Sequence, residues 1–345
     1  MSQDQNAARA AADPGAASEP TGTPRPIVTL GSRSAGGGGN ESTLTVLIAF
    51  SANLLVAIAK SWAAALTGSA SMVAEAAHSW ADTGNEIFLM IANKKSRKPA
   101  GPDHPLGHGR EAYVWSLFAA LGLFVAGSAV SITHGLHELF DPEPASDFVI
   151  GYVVLALSFV LEGTSFLQSV RQARREASAL HRDLIEHVLA TSDPTLRAVF
   201  AEDAAALTGL VIAASGLALH QITGSATPDA IGSILVGVLL GVVAVVLIDR
   251  NRQFLVGQEV SPEARKATLS ALLQVPEIER VTALRLEFVG PRQVYVVADV
   301  DLTGDDTKTH VALRLRDLEA RIRQSPAVVD CTLSLSAPDE PALIP

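Results

Sequence analysis

Glu75-Ala-Ala-His78-Ser-Trp-Ala-Asp82-Thr-Gly-Asn85-Glu86 is a polar run set inside a stretch that otherwise reads as a membrane-spanning helix. Glu75, His78, Asp82 and Asn85 are spaced three or four residues apart, so on a helix they form one polar stripe. An ionised carboxylate near the middle of a bilayer costs about 3 kcal/mol even on lenient insertion scales. Such a stripe persists only where something compensates for it, and a metal ion or a proton suits that role.

Six apolar segments surround this run, at roughly 43–65, 69–93, 112–137, 147–170, 194–220 and 228–249. Each is long enough to cross about 30 Å of hydrocarbon as a helix. The composition agrees: of 345 residues 48% are hydrophobic and only 18% charged, which is unusual for a soluble protein. Loop charges set the orientation. Lys94, Lys95, Arg97, Lys98 and Arg110 follow the second segment, Arg171, Arg174, Arg175 and Arg182 the fourth, and Arg250 and Arg252 the sixth. Glu138, Asp141, Glu143 and Asp147 mark the opposite side, so both termini are expected in the cytoplasm. Gly122, Ala126 and Gly127, and the pair Gly237 and Gly241, would let helices approach closely.

The flanks differ from the helices. Residues 1–40, rich in Ala, Gly, Pro and Ser and closing on Gly36 to Gly39, are expected to be disordered. They lack the apolar core of a secretory signal, and Asp4, Asp13 and Glu19 are foreign to a transit peptide. After the 41–252 membrane unit, residues 253–340 read as a small soluble domain. Ser261-Pro-Glu opens a helix to Gln274, and Leu284, Leu286 and Phe288 alternate up to a Gly290-Pro291-Arg292 turn. Val294 to Leu302 alternate again, Lys308–Gln324 is amphipathic, and Val328–Ser336 is a last strand. The order αββαβ predicts a two-layer, ferredoxin-like α+β domain on the cytoplasmic side.

Net charge is −10, and no basic surface large enough to track nucleic-acid phosphates is evident. The single cysteine, Cys331, excludes an intrachain disulfide and a thiolate-rich metal site.

Helix rise places the polar groups. Asp82 falls close to the midplane of the second helix, and Asp193-Pro194-Thr195 starts the fifth, which carries Glu202 and Asp203 about 12 to 14 Å into the membrane. Imidazole with carboxylates suits Zn²⁺, and also Mn²⁺, Fe²⁺, Co²⁺ or Cd²⁺. His78 and Asp82, opposite Glu202 and Asp203, are the candidate ligands. Glu75 and Asn85 are assigned to helix–helix or water contacts. Glu162, Asn53 and Lys60 are candidates for a proton or ion path, with Lys60 close enough to a helix end to snorkel. Asp229 reads as a cap or surface charge.

Gly68-Ser-Ala-Ser-Met-Val-Ala-Glu-Ala-Ala-His78-Ser-Trp-Ala-Asp82, His104-Pro-Leu-Gly-His108-Gly-Arg110, Asp203, Asp249-Arg-Asn-Arg-Gln-Phe-Leu-Val-Gly-Gln258 and the αββαβ tail together resemble the cation diffusion facilitator family of metal-ion/proton antiporters. The likeness spans residues 43 to about 337 and is greatest to the subgroup with a Glu-Asp pair in the fifth helix. It implies a homodimer in the lipid bilayer that exports a divalent metal in exchange for protons by alternating access; the excess of arginine over lysine and the abundant alanine point to a GC-rich bacterial source, and so to a bacterial cytoplasmic membrane. Metal and protons would be its partners, with no organic cofactor. It further implies a second metal site at His104 and His108 with Asp103. Val199 stands where the family commonly has another fifth-helix ligand. His310, Asp299 and Asp301 are too few for the family's binuclear site in the tail, where Ser334 and Ser336 replace ligands, so that domain is expected to serve dimerisation.

Two rivals remain at this stage. An intramembrane metallohydrolase would need a general base beside an open metal position and an HExxH-like pair, neither of which is present. A non-transporting scaffold or metal-responsive regulator of the same fold is the alternative.

Overall fold

The computed structural model describes residue 28 and residues 43–142, 146–180 and 182–345. Apart from Val28, the 1–40 tail with its glycine run lies outside the described residues, as does Glu143. Helix α1 (Thr43–Thr67) turns back into α2 (Ala70–Ser96) through Gly68, whose φ of 65° is a left-handed conformation that glycine adopts without strain. Ser69 caps α2, its side chain accepting from the Met72 amide at 3.2 Å.

The third apolar segment departs from a plain helix. It runs as α3 (Glu111–Gly122), a π-helical stretch over Leu123–Ala129, and α4 (Val130–Phe140). The widened turns coincide with the small residues that the sequence marks as contacts. A Cβ on Gly127 would come within 2.8 Å of Leu240 Cδ1, whereas one on Gly122 would meet nothing.

Helix α5 (Phe148–Ala179) is longer than its apolar core, and the short α6 (Leu184–Ala190), apolar but too short to read as a span, follows it. Helix α7 (Pro194–Thr223) starts as the sequence predicts: Asp193 accepts from the amides of Thr195 and Leu196, and Pro194 occupies the first turn. Helix α8 (Thr227–Val256) packs on α4 through Gly237, where a Cβ would lie 2.7 Å from Ile132 Cγ1 and 2.9 Å from the Ser128 carbonyl oxygen. Asp229 is not a surface charge: it is buried in the first turn of α8 and accepts from the Ser71 hydroxyl of α2.

Among the described residues, five helical stretches, Phe50–Thr67, Glu111–Phe140, Phe148–Ser178, Pro194–Thr223 and Thr227–Val256, are long and apolar enough to cross a membrane. Helix α2 has the length, but carries Glu75, Asp82 and Glu86 within it.

The tail folds in the predicted order: α9 (Pro262–Leu273), β1 (Ile278–Gly290), β2 (Gln293–Leu302), α10 (Lys308–Ile322) and β3 (Val328–Leu335). The sheet order is β1-β2-β3, with β1 and β2 antiparallel and β3 parallel to β2. Val294, Val296, Ala298 and Val300 alternate inward and, with Leu286, pack against Leu269 and Leu272 of α9 and Leu318 and Ile322 of α10. Val28 belongs to this core, and its carbonyl oxygen accepts from the Ser325 hydroxyl at 2.8 Å.

The β1–β2 turn docks on the bundle. Arg292, with φ 57°, donates to both oxygens of Glu176 on α5 at 2.8 and 2.9 Å, and its amide donates to Ser192 Oγ at 3.0 Å. Gly109 approaches so closely that a Cβ would lie 2.5 Å from the Val289 carbonyl oxygen, and Arg110 pairs with Glu287. Tyr113 stacks on Phe254, and Phe254 packs against Phe288.

Candidate metal site

On α2, His78 and Asp82 sit one turn apart, as their spacing requires, with Nδ1 3.5 Å from Oδ1. No hydrogen bond joins them. Both imidazole nitrogens of His78 and Oδ1 of Asp82 are buried without a hydrogen-bond partner. Buried polar atoms are rarely left this way in native proteins, and two on one imidazole together with a carboxylate oxygen mark a place where a ligand is due. A Lewis-acidic divalent ion fits the donor set.

The charged groups acting on Asp82 are Glu202, Glu162, Lys60 and Asp203. Helix α7 thus presents its acidic pair to α2, though the two members diverge. Glu202 is buried and takes the Asn85 amide on both its oxygens, while Asp203 turns towards α5 and accepts from Ser165 Oγ at 3.0 Å. The divergence follows from the 100° between successive helical residues. The four predicted ligands therefore form two neighbouring groups, and among the described residues no three His, Cys, Asp or Glu side chains converge closely enough to enclose an ion. Val199 is only partly buried.

The stripe's other members hold helices together. Asn85 bonds Glu202, and Glu86 accepts from Asn53 of α1 at 2.9 Å. Glu75 binds Lys60 at 3.0 Å. Lys60 does not snorkel: it is fully buried between Glu75 and Glu162. The nearby acidic residues supply the reason, since a lysine stem can reach an interface but gains more from two carboxylates at hydrogen-bond distance.

His104 and His108 lie in an irregular loop, as Pro105 and Gly107 require, and their rings stack with centroids 4.1 Å apart. Asp103 is exposed. In the tail, Asp301 is paired with Arg280 at 2.9 Å, Asp299 stands opposite Ser334 in the β2–β3 register, and His310 lies 4.0 Å from Asp306. The sequence reading missed Arg197, buried in α7, which donates to the Thr191 carbonyl oxygen at 2.9 Å and to Asn251 Oδ1 at 2.8 Å. Its signal was available: an arginine one turn inside an apolar helix needs a buried acceptor.

The chain is similar in sequence to known proteins. The model of the cation efflux transmembrane domain matches residues 46–256. The mouse mitochondrial proton-coupled zinc antiporter SLC30A9 is 35% identical over 259 residues, covering 75% of this chain and 46% of that protein. Metal tolerance protein C4 of Arabidopsis thaliana is 34% identical, covering 68% of this chain and 51% of its own length. The cation-efflux pump FieF of Shewanella oneidensis is 27% identical, covering 77% and 88%. The chain spans about half the length of the first two relatives. By this match and by its sequence motifs, the chain belongs to the cation diffusion facilitator family, a family of metal-cation carriers and not of enzymes.

Proposed function

We propose that this protein is a proton-coupled divalent-cation antiporter, with zinc its main substrate, that exports metal from the cytoplasm of a bacterial cell. In this reading six helices cross the membrane, with α2 the polar one and both termini inside. Residues 41–252 carry the ion, and 253–340 form the ferredoxin-like domain through which two copies pair. One observation carries the proposal: His78 is wholly buried beside Asp82 with both ring nitrogens free, at a depth where neither side chain would persist without an ionic role.

Each step follows from the side chains. Deprotonated His78 and Asp82 on α2, with Asp203 and Glu202 drawn in from α7, offer an imidazole nitrogen and carboxylate oxygens to a dehydrated ion. Asp203 is held at Oδ2 by Ser165 of α5, and its swing towards His78 and Asp82 on binding would bring α7 closer to the α2 ligands. A proton on His78 or on a carboxylate occupies the lone pair and cancels negative charge, which releases the metal. An inward proton gradient thereby drives metal out, and the relative motion of helices about a midplane site supplies alternating access. His104 and His108, with Asp103 beside them, form a capture site at the cytoplasmic mouth.

The test is zinc movement into or out of proteoliposomes under an imposed pH gradient, repeated with Mn²⁺, Fe²⁺, Co²⁺ and Cd²⁺, with internal pH followed in parallel. The proposal expects metal flux with counter-flow of protons. A scaffold of the same fold would give neither.

A further inference from the structure

A second charged cluster adjoins the ligands. Lys60 of α1 donates to Glu75 Oε2 of α2 at 3.0 Å and to Glu162 Oε1 of α5 at 2.8 Å. Lys60 and Glu75 have no exposed surface, and the Glu162 side chain retains 17%. Glu75 lies three residues from His78, and Glu162 three residues from Ser165, which holds Asp203. The cluster therefore forms the next helical layer beyond the ligands, on the side of the α1–α2 turn.

Both carboxylates keep one oxygen, Oε1 of Glu75 and Oε2 of Glu162, buried without a hydrogen-bond partner. Space for Glu75 comes from α7: a Cβ on Gly209 would stand 2.5 Å from its Oε1. Lys60 acts electrostatically on His78 as well as on Asp82. Among the described groups acting on Asp82, Glu202, Glu162 and Asp203 are acidic and Lys60 is a cation.

Fastening α1 to α2 and α5 accounts for one ammonium held by two carboxylates, but not for the further acidic groups that act on Asp82 beside them. Here one ammonium faces an excess of negative charge that continues into the metal ligands, and at this depth that charge is not shielded by water. We propose that Lys60 is the internal counter-cation of the ion site. Held by Glu75 and Glu162, its ammonium compensates Asp82, on which Asp203 also acts, while no metal is bound. An arriving divalent ion takes over that compensation against repulsion from Lys60, which keeps the bound ion releasable. The identity of the site rests on the proposed function, whereas the coupling between Lys60 and the ligand carboxylates stands apart from it.

The experiment is thermal unfolding of the full-length protein in detergent with a chelator. Lys60→Met is expected to lower the melting temperature by about 10 °C, the scale of breaking a buried pair in a bundle of this size. In an Asp82→Asn/Asp203→Asn background the drop from the same substitution is expected to be smaller by about 2 °C or more, because the charge on the ligand side is gone while Glu75 and Glu162 remain. An equal drop in both backgrounds, or failure of Lys60→Met to fold in both, makes the cluster a helix fastener and overturns the inference. Folding of the triple variant where Lys60→Met alone does not fold supports it. Zinc is then added to Lys60→Met in place of the chelator. Coupling between Lys60 and Asp82 without any zinc stabilisation would sink the transport reading and leave the counter-cation standing, so the two failures are separable.

Discussion

Asn85 and Glu202 show how single residues are held in the bundle. The amide of Asn85 supplies both oxygens of a buried carboxylate, so Asn85→Leu strands Glu202 and is expected to lower stability by about 2 kcal/mol or more. Asn85→Leu/Glu202→Leu, which removes both partners, should recover most of that loss in a thermal melt. Cys331 gives a second check. Its thiol is buried in the sheet core, and burial with Glu319 nearby pushes its pKa up to about 12. The thiolate is the reactive form, so at pH 8 maleimide should label the denatured chain and leave the native one unmodified. At this scale the sequence was legible where spacing alone decides, as with His78 and Asp82. It was not legible for Lys60, because the partner that turns it inward, Glu162, is 102 residues away.

Helix by helix, small residues determine how close the elements come. Gly237 sits where a Cβ would press on the Ser128 carbonyl oxygen and the Ile132 side chain, and Gly127 where it would press on Leu240. Replacing Gly237 with Leu is expected to split α8 from α4, read as a fall in the folded fraction on size-exclusion chromatography. Gly209→Val would act differently, by pushing into Glu75, and should impair ion movement more than folding because the opposing atom ends a side chain. The sequence located these helices by hydropathy and placed the starts of α7 and α9 by their caps. It could not announce the π-helical turns at Leu123–Ala129, which leave hydropathy unchanged, and the seven residues of α6 are too few to read as a membrane helix. The tail was the most legible part: alternation in β2 and the Gly290-Pro291-Arg292 turn give the hairpin, though not the register shifts between Ile278 and Arg280, Val281 and Ala283, and Phe288 and Gly290.

For the whole molecule, the sheet domain is fastened to the ends of α3, α5 and α7 through a few contacts, with Arg292–Glu176 the most direct. His187 adds to this junction, its Nε2 3.4 Å from Glu176 Oε2. Arg292→Ala is expected to leave both parts folded but loosen the joint, seen as faster hydrogen exchange through residues 257–260 and the β1–β2 turn. Unchanged exchange there would mean that the Gly109 and Arg110 contacts suffice. None of this docking is written in local sequence patterns, because it depends on charges brought together by the complete fold. The distribution of charge along the chain nevertheless foreshadows it, as the basic and acidic groups concerned cluster at the end of the bundle that the loop charges mark as cytoplasmic.

The central claim is that a divalent ion crosses the bundle by way of the His78–Asp82 pair. Zinc flux into proteoliposomes under a pH gradient, compared between the wild-type protein and Asp82→Ala reconstituted at equal density, tests it most directly. The account predicts flux with the wild type and a loss of about a hundredfold or more with Asp82→Ala, the scale of removing a ligand worth several kcal/mol. Transport by Asp82→Ala at the wild-type rate would contradict it.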